Sequence, residues 1–217
     1  MKNNKFSSVF WDFGGVITSS PFEAFNHFEK ENNLPNNLIR KINSINHKNN
    51  AWALLEQSKI SIDEFDDLFL SESKAVGAEI KGKDVLMLLQ GKIRPKVVKV
   101  LKKFNKLGFF QACLTNNFNS EGKDKSALDD ENIERLEILK IFDHVIESKN
   151  IGLRKPDLAF YHYVLDLTSC DPKKTIFLDD LGINLKPAKS MGMSTIKVTS
   201  EKQLIADLEK LLDFKII

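Results

Sequence analysis

From Ile93 to the C-terminus the chain alternates short apolar runs with amphipathic stretches, and this alternation limits the possible folds more than any other feature. Pro95 opens the helical pattern PKVVKVLKKFNKL, and Gly108 stops it. Proline suits a first helical turn and glycine the position past the last. FFQACLT then reads as a strand, NIERLEILKIF as a helix and HVIE as a strand. PDLAFYHYVLDL reads as a helix with Pro156 at its start, followed by strand TIFLDD, helix NLKPAKSMG, strand TIKV and helix EKQLIADLEKLLDF. Strands spaced by helices of this length predict βαβ units, hence an α/β fold with a Rossmann-like parallel sheet and helices on both faces. The run SSVFW, ending at Asp12, predicts one further strand of that sheet.

Between about Thr18 and Gly91 no stretch reads as a strand. PFEAFNHFEKE repeats Phe22, Phe25 and Phe28 at helical spacing. SIDEFDDLFL places Ser61 and Glu64 as a capping box before an apolar face at Phe65, Leu68 and Phe69. NSINHKNN reads as a loop or a helix end. The expected organisation is an α/β core from residues 1–17 and 92–217, with residues 18–91 as a small helical domain inserted after the first strand.

Parallel sheets of this kind bind ligands at the carboxyl ends of their strands. Asp12 follows the first strand and precedes Phe13, Gly14 and Gly15; the next strand ends in Thr115 and Asn116, and a later one in Asp179 and Asp180. Lys155 lies in GLRKPD, at the expected N-terminus of a helix. Taken singly, these are a strand-ending turn, an Asx turn, a solvated lysine and an acidic helix entry. Taken in order, they put three carboxylates, a hydroxyl and an amine around one crevice. That set suits phosphoryl transfer: carboxylates hold Mg²⁺, the cations neutralise phosphate, and one carboxylate can act as nucleophile. The backbones of Gly14–Gly15 and Thr115–Asn116 can offer N–H groups to phosphate oxygens.

WDFGGVI, CLTNN, GLRKPD and FLDDLGINLKPAKSMGM resemble, in order, the four motifs of the haloacid dehalogenase-like hydrolase superfamily. Within it they are most similar to the subgroup that includes the N-terminal phosphatase domain of soluble epoxide hydrolases. The resemblance spans essentially the whole chain and implies that the helical insertion is a cap domain. It implies a Mg²⁺-dependent phosphatase of a small phosphorylated molecule. Asp12 would be nucleophile and metal ligand, with the Gly14 carbonyl and Asp180 as further ligands and Asp179 adjacent, holding the metal through water. Thr115 and the Asn116 backbone would bind the phosphoryl group, and Lys155 would stabilise its charge. One position departs from the family pattern. Family phosphatases usually carry a second Asp two residues after the nucleophile, where this chain has Gly14. That acid protonates the leaving oxygen and later activates water, and such a group is worth roughly 10²–10⁴ in rate. Glycine-containing versions do occur in the epoxide-hydrolase-like subgroup.

Other readings of the same residues are a non-catalytic binder of phosphorylated metabolites and a hydrolase of another bond. The Asp179–Asp180 pair argues against carbon–halogen cleavage, because dehalogenases of the superfamily lack it. Phosphonate cleavage needs a Schiff-base lysine in the cap, and no lysine there is singled out. A receiver-type signalling domain has its acidic pair early in the chain, whereas here it follows the lysine.

The balance of 32 basic against 30 acidic residues, a net charge of +2, gives no footing for nucleic acid or an anionic membrane as partner. No apolar run approaches the roughly 18 residues of a membrane span. Asp12 interrupts the apolar stretch that follows Lys2 and Lys5, so no signal peptide is expected. Cys113 and Cys170 read as reduced, buried thiols, which together with these points suggests the cytoplasm. His27, His47, His144 and His162 have no metal-ligand spacing. Specificity is expected to reside in the insertion, and helical periodicity carries no signature of a particular substrate or oligomeric state.

Overall fold

Five parallel strands form the centre of the computed structural model, which describes residues 5–89, 91–117 and 130–217. β1 (Ser8–Trp11) leads through a wide turn at Phe13–Ile17 into five consecutive helices. These are α1 (Pro21–Glu31), α2 (Leu38–Ser44), α3 (Ala51–Glu56), α4 (Ile62–Lys74) and α5 (Gly82–Met87). The alternating part follows: α6 (Pro95–Lys106), β2 (Phe110–Thr115), α7 (Asp130–Leu139), β3 (His144–Glu147), α8 (Ser148–Ile151), α9 (Leu158–Thr168), β4 (Thr175–Asp179), α10 (Gly182–Ser190), β5 (Ser194–Lys197) and α11 (Glu201–Leu212). The strand order is β3-β2-β1-β4-β5, and every pairing is parallel.

Helices cover both faces of this sheet, so its middle strands are apolar on both sides, and all residues of β1 and β4 are buried. Strand alternation divides them. Trp11, Cys113 and Leu178 pack on one face with Val97, Val100, Leu101 and Phe104 of α6, Ile138 of α7, and Leu204 and Leu208 of α11. Phe10, Leu114 and Phe177 pack on the other with Phe160, Tyr161 and Val164 of α9 and Leu185 and Ala188 of α10. Each large side chain so buried contributes about 1.5–3 kcal/mol.

The five helices after β1 have a hydrophobic cluster of their own, centred on Phe25, Ile39, Ile42, Leu55, Phe65, Phe69 and Val85. Ser20 caps α1 with Pro21 at its first position, and Ser61 and Glu64 form both halves of a capping box on α4. The Asn37 side chain makes no cap bond at the start of α2. The buried Glu29 carboxylate does this instead, accepting from the N–H groups of Asn37 (2.6 Å) and Ile39 (2.9 Å). The chain enters and leaves this block side by side: Thr18 bridges Ile93, Ser19 N–H donates to Lys92 O at 2.7 Å and Arg94 N–H to Ile17 O at 2.9 Å.

Some local expectations change. Leu68 is 40% exposed rather than part of the buried face. The buried ridge of α4 is Phe65, Phe69 and Ser73, spaced four apart, and Leu68 falls at its edge. Pro156 precedes α9 instead of starting it. A turn closed by Asp157 N–H donating to Arg154 O holds Lys155 and Pro156, joined by a cis peptide, and α9 starts at Leu158. β4 ends at Asp179, leaving Asp180 in the turn before α10. The helix read over NIERLEILKIF ends at Leu139, and Phe142 turns in to the core. Both cysteines are free thiols, but only Cys113 is buried; Cys170 is half-buried. No helix among the described residues is long and apolar enough to cross a membrane.

Candidate active site

Register brings the first two acids together. Trp11 pairs with Leu178, so the next residues along β1 and β4 are Asp12 and Asp179, and Asp12 N–H extends the ladder to Leu178 O at 2.8 Å. The turn before α9 delivers Lys155 between them. Its ammonium lies 3.0 Å from Asp12 Oδ1 and 2.7 Å from Asp179 Oδ2, and the residue is only 1% exposed. Asp179 is held further by Leu181 N–H at 2.8 Å and by the Asn184 amide, 3.1 Å from each carboxylate oxygen. Asp180 accepts a 2.9 Å hydrogen bond from the Ser20 hydroxyl, the same group that caps α1. Ligand atoms of Asp12, Asp179 and Asp180 lie within 4.8 Å of one another.

The two glycines of the turn have different physical reasons. Gly15 has φ +74°, and a Cβ there would sit 2.2 Å from Asp180 Oδ2. Only glycine lets the turn pass so close to the acid. Its carbonyl accepts from the Arg94 guanidinium at 2.8 Å, which ties the turn to the start of α6. Gly14 has φ −67° and ψ 134°, extended backbone open to any residue, and among the described residues a Cβ would meet nothing within 4 Å. Nothing in the local backbone requires glycine at 14.

One ammonium faces three carboxylates, and the protonation tendencies follow. Burial pushes the Asp12 carboxyl well above the usual range; Lys155 opposes this, while Asp179 and Asp180 add to it. Burial and the charge of Asp179 raise Asp180 to about 6. Burial disfavours the charge on Lys155, but Asp12 and Asp179 together outweigh it and hold the ammonium above its ordinary range. Among the described residues this is a buried, all-oxygen donor set short of positive charge, which fits a hard divalent cation.

Thr115 ends β2 at the same edge of the sheet, and among the described residues its hydroxyl has no hydrogen-bond partner. Among the described residues the Asn116 side chain makes no hydrogen bond to Asp12, Asp179 or Asp180. Its Oδ1 accepts from Lys155 N–H (3.0 Å), and its Nδ2 donates to Lys155 O (2.9 Å) and to Glu56 Oε2 (3.2 Å). Ser20, Arg94, Asn184 and Glu56 carry no functional signal in the sequence. Ser20 bears no mark there of its contact with Asp180, and Asn184 lies inside the motif stretch FLDDLGIN without any mark of its contact with Asp179.

A family model described as haloacid dehalogenase-like hydrolase matches residues 6–192. The chain belongs to this family. Among curated relatives, acyl-CoA dehydrogenase family member 10 of Mus musculus is 31% identical over 215 residues, and bifunctional epoxide hydrolase 2 of the same species is 29% identical over 212 residues. These matches cover 96% and 92% of this chain, but only 19% and 38% of the relatives' own lengths. The fold is shared with a haloacid dehalogenase family enzyme of Bacteroides thetaiotaomicron crystallised with magnesium and inorganic phosphate. That match has TM-score 0.57 and 19% identity, and covers 90% of this chain and 96% of that one.

Proposed function

We propose that this hydrolase is a Mg²⁺-dependent phosphatase acting on a small organic phosphate. The observation that carries the reading is the buried cluster of Asp12, Lys155, Asp179 and Asp180 at the carboxyl ends of two neighbouring parallel strands. Asp12 attacks phosphorus, the bond to the leaving oxygen breaks, and the phosphoryl group passes to the Asp12 carboxylate. Water then releases inorganic phosphate and regenerates Asp12. Lys155 opposes the effect of burial, which disfavours the charged form of Asp12, and offsets charge on the transferring group. The Thr115 hydroxyl and the N–H groups of Gly14, Gly15 and Asn116 hold phosphoryl oxygens. Asp12, the Gly14 carbonyl and Asp180 would hold Mg²⁺, which when bound supplies charge neutralisation at the phosphate. Asp179, whose oxygens are taken up by Lys155, Asn184 and Leu181, serves chiefly to seat Lys155. Residues 18–91 act as the cap over a core of residues 1–17 and 92–217. The Bacteroides enzyme, described with magnesium and phosphate, supports the assignment of both ligands.

Gly14 favours a second reading, a phosphate-binding protein without turnover, because the acid that would protonate the leaving oxygen is missing. A panel of phosphate monoesters assayed with Mg²⁺ and with EDTA separates the two. The phosphatase reading expects Mg²⁺-dependent release of phosphate that Asp12→Asn abolishes. Saturable phosphate binding with no release from any ester would favour the binder, and equal release by Asp12→Asn would remove Asp12 from the chemistry.

The cation can be tested by stability alone. In metal-free protein Asp180 is raised from 3.8 to about 6, so it binds a proton more tightly folded than unfolded. Its contribution is fully present below pH about 3.8 and is lost as pH rises through about 6. Mg²⁺ should therefore raise the melting temperature little near pH 4 and most above pH 6, and Asp180→Ala should remove that response. A Mg²⁺ shift that survives in Asp180→Ala would place the ion elsewhere.

A further inference from the structure

Glu56 is the last residue of α3, in the helical insertion, yet its carboxylate is engaged with the segments that carry the site. It is buried, and Oε2 accepts from the Arg154 side chain through Nε at 2.5 Å and through Nη2. The same oxygen accepts from Asn116 Nδ2 at 3.2 Å, while Oε1 accepts from Trp52 Nε1 at 3.1 Å. Arg154 also donates to His47 O at 3.1 Å, so two points of the insertion hold it. Asn116 and Arg154 directly follow and precede Thr115 and Lys155, and Asn116 brackets the Lys155 backbone through both its N–H and its carbonyl.

We propose that Glu56 is a positioning residue through which the insertion sets the geometry of Lys155 and of the Thr115–Asn116 segment. The amide of Asn116 can give one N–H to Glu56 and one to Lys155 O only in a single orientation, the one that also lets its Oδ1 receive Lys155 N–H. With Glu56 in place the Lys155 backbone is fixed at both polar groups, and its ammonium falls between Asp12 and Asp179. With the insertion unseated, Arg154 and Asn116 lose a charged acceptor and the bracket loosens. The site is then complete only when the insertion is docked.

A buried ion pair that served stability alone would behave differently from this. Replacing both members of such a pair by apolar groups of similar volume often restores stability. The informative variant is therefore the double substitution Glu56→Met with Arg154→Met, set beside Glu56→Gln. Amide hydrogen exchange over residues 152–157, read by mass spectrometry, should accelerate in both variants at Lys155. The kcat on an aryl phosphate should fall about tenfold to a hundredfold, the scale of a roughly 1 Å misplacement. The double variant should regain melting temperature without regaining kcat. Recovery of kcat together with stability, or exchange at Lys155 equal to wild type, would overturn the positioning role. The kinetic arm rests on the phosphatase reading, but the exchange arm does not. If wild-type protein releases no phosphate, that reading fails and exchange still decides the role of Glu56.

Discussion

Gly14→Asp is expected to raise turnover of alkyl phosphates by about 10²–10⁴, the usual worth of a positioned acid/base, and to change aryl phosphates far less. An aryl oxide leaves with little protonation, whereas an alkoxide is far more basic and depends on a proton donor. Wild-type protein should accordingly favour aryl esters. On the proposed mechanism, hydrolysis of a phosphorylated Asp12 also needs a base, so wild type should show a burst of leaving group followed by a slow steady rate. The structure removes the main physical objection to the substitution. Glycine in such a turn can have angles that aspartate resists, but Gly14 has φ −67° and ψ 134°, and a Cβ there meets nothing within 4 Å among the described residues. The strained position is its neighbour Gly15, at φ +74° against Asp180. An unchanged Mg²⁺ melting shift would show that the site survives the change. Equal wild-type rates on alkyl and aryl esters without a burst, and no gain from Gly14→Asp, would mean that another group already supplies the proton.

The asymmetry between these two glycines shows where sequence reasoning reaches and where it stops. Alternation of apolar runs with helical patterns was enough to expect a parallel α/β sheet, because helices on both faces leave a distinctive two-sided burial. The order of Asp12, Thr115, Lys155 and Asp179–Asp180 was enough to expect one crevice, because all but Lys155 end a strand or follow one. Lys155 enters from a turn three residues before α9, and a helix expected to start at Pro156 gave no reason for that placement. Contacts that depend on tertiary approach left no local trace. Ser20 caps α1 locally and is a partner of Asp180 in space, 160 residues away. Glu56 and Arg154 are 98 residues apart, and neither lies in an acidic or basic pattern that announces the other. Asn116 was read for its backbone, yet its side chain joins Lys155 to the insertion. Periodicity reports which face of an element is buried, and it is silent about what a polar side chain meets across the fold.

Lys155→Met is expected to produce the largest loss of stability of any single change at the site, and one that a cation partly reverses. Lys155 is 1% exposed and, among the described residues, is the one cation in contact with both Asp12 and Asp179. Removing one partner of a buried pair leaves uncompensated charge, at a cost of about 3–5 kcal/mol. For a domain of this size that corresponds to about 6–20 °C in melting temperature. The sign with pH follows from the carboxylates that remain. Burial and mutual repulsion already raise Asp12 and Asp180 in the presence of Lys155, and without it both rise further. Groups raised in the folded state favour folding while protonated and lose that contribution as pH climbs through their folded values. The variant in EDTA should thus approach wild-type stability near pH 4 and fall progressively behind above pH 6. On the proposed reading Mg²⁺ would restore positive charge to the same cluster, so its stabilising effect at pH 7.5 should be larger in Lys155→Met than in wild type. Catalysis should stay low, because Mg²⁺ would not replace the ammonium that, on the proposed mechanism, stabilises the transferring group, and loss of one such interaction costs about 10²–10³ in kcat. Thermal melts across pH with EDTA and with Mg²⁺, together with aryl phosphate kinetics, test each part. A Lys155→Met protein as stable as wild type in EDTA at pH 7.5 would show that the ammonium does not offset the buried carboxylates.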